Sequence, residues 1–217
     1  MNTLAEKFLT QAERQRVTAS VQAAERITSG EIVPAIASSS HSYPLVDMIG
    51  GFFLALPFAL ILTSVVGSAM WLGSMNLLLF LAVISLLYWP AKIMVANAVP
   101  LKRFFLLVDQ VEEEVEEAAI KTFYNENLSA TRDRNGILIY ISVLERRVWI
   151  LADSGINAKI KQSVWLDAVT ELTSGIRQGR QADALCAAIA RIGEILQKEF
   201  PIKPDDQNEL NELIILN

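Results

Sequence analysis

Apolar positions along this chain follow three patterns. Residues 10–27 place Val17, Val21, Ala24 and Ile27 on one helical face, and Thr10 with Glu13 makes a capping-box signature ahead of them. Ser29-Gly30 ends that helix. Residues 31–37 (EIVPAIA) read as a strand, in which Pro34 favours an edge or irregular position. The helical interval returns over residues 103–128 at Val108, Val111, Val115, Ala119 and Phe123. Asn135-Gly136 marks a turn into residues 137–143, an almost unbroken β-branched run of the kind buried on both sheet faces. Residues 144–147 reverse the chain and 148–152 return as the hairpin partner. Two amphipathic helices, over about 157–177 and 182–200, follow; Leu185, Ala188, Ile189, Ile192 and Leu196 line one face of the second.

The third pattern is an absence of charge. Between Asp47 and Lys92 lie 44 residues without Asp, Glu, Lys, Arg or His. One membrane-crossing helix needs roughly 20 apolar residues, so the gap fits two, over about 45–67 and 72–90, with Gly67-Ser68 and Gly73-Ser74 flanking the reversal. Trp71 at the tip, and Tyr88-Trp89 near the other end, suit interfacial aromatic belts, and Pro57 is tolerated in a spanning helix. Lys92, Lys102 and Arg103 follow the second span, whereas the tip has no basic residue. The positive-inside rule then puts both flanks in the cytoplasm and the tip outside, as expected of a multi-pass protein of the inner (cell) membrane. The spans offer few polar groups (Thr63, Ser64, Asn76, Ser85), which favours an anchor over a pore.

The predicted order is helix, strand, membrane hairpin, helix, two strands, two helices. Right-handed crossover through the central helix sets the first two strands parallel. The fold class is therefore α/β, a small mixed sheet covered by helices on both faces and interrupted by a two-helix transmembrane hairpin. Residues 1–44 and 93–200 form the two parts of the soluble domain, 45–92 the hairpin, and 201–217 a polar tail opened by Pro201, Pro204 and Asp205-Asp206.

Composition changes this picture little. The 19 Lys+Arg against 24 Asp+Glu give a net charge of −5, with no basic cluster to recruit nucleic acid. The lone Cys186, within ADALCAAIA, reads as a packing thiol and excludes an internal disulfide. The N-terminal stretch has no apolar core and is not read as a signal peptide. Expected partners are membrane lipid and other membrane proteins, with self-association left open.

The segments ERITSGEIVPAI and RNGILIYISVLERRVWILADSGI, with the closing amphipathic helix, resemble the TPM-domain family. Thr28, Ser29, Gly30, Glu31, Ile32 and Val33 match its first strand, and Asn135, Gly136 and residues 137–142 its second. Arg146, Arg147, Asp153, Gly155 and Ile156 match its hairpin and following turn. The resemblance implies an α/β/α sandwich with a mixed sheet. Members include a thylakoid-lumen protein with acid phosphatase activity and an auxiliary protein of an acetylcholine receptor, and some bind calcium. In the better-known layout the domain precedes a single span; here the hairpin interrupts it.

Candidate chemistry is sparse. There is no Cys-x5-Arg, no Asp-x-Asp and only one histidine, His41, which reads as a surface residue among serines. Glu112, Glu113, Glu114, Glu116 and Glu117 scatter around one helix and read as a solvated face, as do Arg146 and Arg147 at their turn. Asp133 and Asp153 fall at the same end of the predicted hairpin, so two carboxylates with nearby turn carbonyls suit a hard cation such as Ca²⁺. The plainer reading makes Asp133 a turn former and Asp153 a helix cap. Two functions compete: an anchored interaction or quality-control module for membrane proteins, and a metal-dependent phosphatase. Whether the protein is an enzyme stays open at this stage.

Overall fold

The computed structural model describes residues 3–71, 73, 76–161, 163–203 and 208–216. The chain forms two compact units, one from Met1–His41 with Val111–Asn217 and the other from Ser42–Gln110.

In the first unit, Thr3 and Thr10 each cap a helix through a complete capping box, giving α1 (Leu4–Phe8) and α2 (Gln11–Glu25). Strand β1 (Glu31–Ala37) pairs in parallel with β2 (Gly136–Ser142), in the register Glu31↔Gly136 to Ala37↔Ser142. Strand β3 (Arg147–Ala152) returns antiparallel to β2 through a turn in which Arg146 adopts φ 54°. Helices α6 (Val108–Asn125), α7 (Ser154–Asn157), α8 (Ser163–Arg177) and α9 (Gln181–Glu199) complete the layers. The helix expected over about 157–177 starts later, at Ser163, after Asp153 has capped the short α7.

The tail departs most from expectation. Pro204 and Asp205-Asp206 lie outside the described residues, but beyond them Ile214–Leu216 forms β4, parallel to β1. The sheet order is β3-β2-β1-β4. Three residues are too few to show a period, which hid this strand in the sequence. Pro34 now has a place. The Glu31 amide donates to Asn135 O across to β2, so even-numbered amides of β1 point the other way. On that side Ile32 N donates to Glu25 Oε1 and Ser38 N to Leu216 O. Pro34 falls between them, before β4 begins at Ala35, where no amide is needed.

Alternation divides the sheet's side chains between two covered faces. Ile32, Ile36, Ile137, Ile139, Val148 and Ile150 meet α2, α8 and α9, with Val17, Val21, Trp165, Leu172, Leu185 and Ile192 all buried. Val33, Leu138 and Tyr140 point to the opposite face and are equally buried; α6 brings the buried stripe Val111, Val115, Ala119 and Phe123. The result is the α/β/α sandwich expected.

The second unit contains α3 (Pro44–Ala69), α4 (Asn76–Asn97) and α5 (Val99–Phe104). Helices of 26 and 22 residues extend about 39 and 33 Å, and both are long and apolar enough to cross a membrane. Helix α4 runs past Pro90 and Lys92, further than the charge gap suggested, and Leu72 and Ser74 lie outside the described residues. On α3, Gly51, Ala55, Ala59, Thr63 and Gly67 recur every four residues and are buried against α4. A side chain at Gly51 would come within 2.8 Å of the Lys92 Cα, so the stripe lets two backbones approach. Large side chains such as Phe58 and Leu86 face outward.

Candidate functional site

One end of the sheet is polar where the rest of the interior is apolar. Glu31 begins β1, Asn135 precedes β2, and Asp153 follows β3; all three are at least nine-tenths buried. The strand register explains the gathering. Glu31 is level with Gly136 on one side of β2, and Asp153 N donates to Gly136 O at 2.9 Å on the other. Gly136 and Gly155 permit the close packing around them. A Cβ at Gly136 would lie 2.5 Å from Leu128 O, and one at Gly155 would lie 2.5 Å from Arg134 O and 2.9 Å from Asp133 O.

The structure thus brings the segments of Asp133 and Asp153 into contact, but gives the two carboxylates different partners. Lys203 Nζ lies 2.5 Å from Asp133 Oδ2, with Arg132 Nη2 at 3.9 Å. That hydrogen bond from Lys203 holds the Asp133 carboxyl below the usual aspartate range, against a weaker opposing effect of burial. Asp153 Oδ1 accepts from the Ser154 amide at 2.6 Å and the Ser154 hydroxyl at 3.1 Å, capping α7. Its Oδ2 is buried with no hydrogen-bond donor among the described residues, and Arg134 Nη1 stands 4.0 Å away.

Sequence reasoning left Glu31 unplaced and passed over Asn135 as a site residue, together with Lys203 and Glu209. Asn135 donates its side-chain amide to Ser29 O, while its Oδ1 is buried without a donor among the described residues. Glu209 N donates to Glu31 Oε1, and its Oε2 accepts from Arg132 N, both at 3.3 Å, so the C-terminal segment closes over this end. Thr28 and Ser29 both donate to Phe200 O, at 2.6 and 2.9 Å, ending α9 there.

Chemically the cluster is rich in acceptor oxygens. A hard cation takes six to eight oxygens, and Asp153 Oδ2 and Asn135 Oδ1 are oxygens of the right kind. Against this, Asp133 is held by Lys203, and among the described residues no three His, Cys, Asp or Glu side chains group to share an ion. His41 is elsewhere, its Nδ1 3.1 Å from Glu114 Oε2 on α6, so it is tied down rather than a bystander. Cys186 is half-buried, and burial pushes its thiol up, away from nucleophilic use.

Comparison with known families decides the relationship. The TPM domain family matches residues 101–195. That stretch, under half of the chain, is similar to a TPM domain. The match begins after β1, yet β1 completes the domain's sheet by pairing with β2 along its length and with β4 over Ala35–Ala37. Among solved structures, the TPM domain and its hairpin are similar to the NMR structure of the BA42 protein from the psychrophilic bacterium Bizionia argentinensis. That likeness covers 97% of this chain and 96% of the other, at a TM-score of 0.59 and 21% identity, and concerns the fold. A comparison with curated proteins returned no match.

Proposed function

We propose that this protein is a membrane-anchored TPM domain of the inner (cell) membrane that serves as an interaction module for other membrane proteins, in their assembly or quality control. The carrying observation is the position of the apolar insert. It enters between β1 and β2, which are neighbouring parallel strands, so the domain is joined to it by two connections rather than one. Lys92, Lys102 and Arg103 against a tip without basic residues support a cytoplasmic domain. Among the described residues the polar cluster has no cysteine or histidine, and the Ser154 hydroxyl is spent on Asp153 Oδ1 within a helix cap, which supports binding over hydrolysis.

The test is photo-crosslinking of the full chain in its own membrane, from residues on the exposed faces of α6 and α8. Covalent adducts with other membrane proteins are expected. Recovery of the uncrosslinked protein from every position would overturn the reading.

A second reading, a metal-dependent phosphatase, keeps one specific support: the buried, donorless oxygens of Asp153 and Asn135. Titration of the detergent-solubilised protein with Ca²⁺, with Asp153→Asn as control, tests it. Saturable binding lost in the variant, with hydrolysis of a phosphomonoester, favours this reading; no heat at millimolar Ca²⁺ removes it.

A further inference from the structure

Strand β3 is an edge strand, and among the described residues no strand pairs with its outer side. Because Asp153 and Gly136 are register partners joined by a hydrogen bond, the odd-numbered residues of β3 turn their amides and carbonyls toward β2. Val148 and Ile150 therefore direct theirs outward. Beside this edge runs a slot of about 330 Å³ between α6 and α8, floored by Val115, Val148, Ile150 and Trp165. Trp165 is 97% buried, yet its indole N–H has no acceptor among the described residues. A buried donor without an acceptor is destabilising, and Trp165 lines this slot.

From this geometry we infer that the β3 edge is a docking site for an extended aliphatic segment of a partner protein, which adds to the sheet as a fifth strand; this deepens the interaction reading above and rests on it. Three features define the occupant. The outward amides and carbonyls at Val148 and Ile150 require a strand backbone. The apolar floor, and Leu166 at 63% exposed on the rim, require aliphatic side chains. Glu112 and Arg147 stand on the rim, and neither has an ion-pair partner among the described residues, so the segment carries a basic and an acidic residue to meet them. The opposite flank of the same sheet shows the mode at work, where the Ile-Ile-Leu of β4 closes part of β1. An acceptor from the segment then reaches the Trp165 N–H.

The full chain in detergent is mixed with the capped peptide Lys-Thr-Val-Ile-Val-Thr-Glu, and amide hydrogen exchange is followed. The expected result is exchange at Val148 and Ile150 slowed about tenfold or more, and no such effect from a peptide with Pro at the central position. Ile150→Pro, which removes one outward amide, should abolish protection. Trp165→Phe keeps the ring and deletes the N–H, and should weaken peptide binding about tenfold; it carries the test if Ile150→Pro does not fold. No slowing at millimolar peptide, or equal binding by both variants, overturns the proposal. So does protection already present without peptide in a species of twice the mass, which would assign the edge to a second copy. If membrane adducts persist in Trp165→Phe while the peptide never binds, the interaction reading survives and this site does not.

Discussion

Lys203 and Asp133 form a 2.5 Å ion pair between the C-terminal segment and the loop before β2. The pair depresses the Asp133 carboxyl, so its contribution is present above the unfolded aspartate value of about 4 and is lost as pH falls through the lower folded value. Asp133→Asn should therefore lower stability by under about 1 kcal/mol at pH 7, given the solvent access of both side chains. The difference from the parent should close as pH approaches 3. Thermal unfolding at pH 7, 5 and 3 measures it, and a constant difference would show that the pair contributes nothing.

Asp153 acts first as a cap. Asp153→Ala removes the acceptor of the Ser154 amide and should cost about 1 kcal/mol. Asp153→Asn keeps an acceptor oxygen and should retain most of that stability. Chemical denaturation of the two variants separates cap from charge, since equal losses would point to the charge.

Gly136→Ala is expected to cost about 1–3 kcal/mol, because the added carbon meets the Leu128 carbonyl, which is backbone and cannot swing away. Gly155→Ala should behave alike, against Arg134 O. An unchanged melting temperature in either would mean that the loop before β2 yields freely.

Within the hairpin unit, Lys102 Nζ lies 3.0 Å from Asp47 Oδ1 and 2.7 Å from Ser42 O, with both charged side chains about seven-eighths buried. Lys102→Met should destabilise by about 3 kcal/mol by leaving Asp47 unpaired, and the double variant Lys102→Met, Asp47→Leu should recover much of the loss. A double-mutant cycle on the detergent-solubilised protein reads the coupling.

Much of this fold was legible because its elements are locally consistent. Thr10 with Glu13 placed the start of α2, residues 137–142 announced a strand buried on both faces, and the uncharged gap announced α3 and α4. The charge gap underestimated α4, because Lys92 and Pro90 sit within a helix that continues to Asn97. Strand β4 escaped because the apolar run from Leu213 to Leu216, set in a polar tail, is too short to carry a period, although Leu213 and Ile215 do pack on the core.

The candidate site was half visible. The hairpin's geometry puts Asp133 and Asp153 at one end of the sheet, where both lie, but their partners come from far along the chain or depend on register. Lys203 lies 70 residues from Asp133, and Glu31 joins the cluster only through its pairing with Gly136. The free edge of β3 with Trp165 beneath it was invisible for the same reason, since no local pattern tells which strand ends a sheet.

The proposed function rests on α3 and α4 crossing a membrane twice between β1 and α6. Single cysteines at Ser40, Ser68 and Ser129, on a Cys186→Ser background, can be labelled with a membrane-impermeant maleimide in sealed, right-side-out vesicles. The account predicts that Ser68→Cys reacts from outside, while Ser40→Cys and Ser129→Cys react only after the membrane is opened. Reaction of all three on the same side would contradict it.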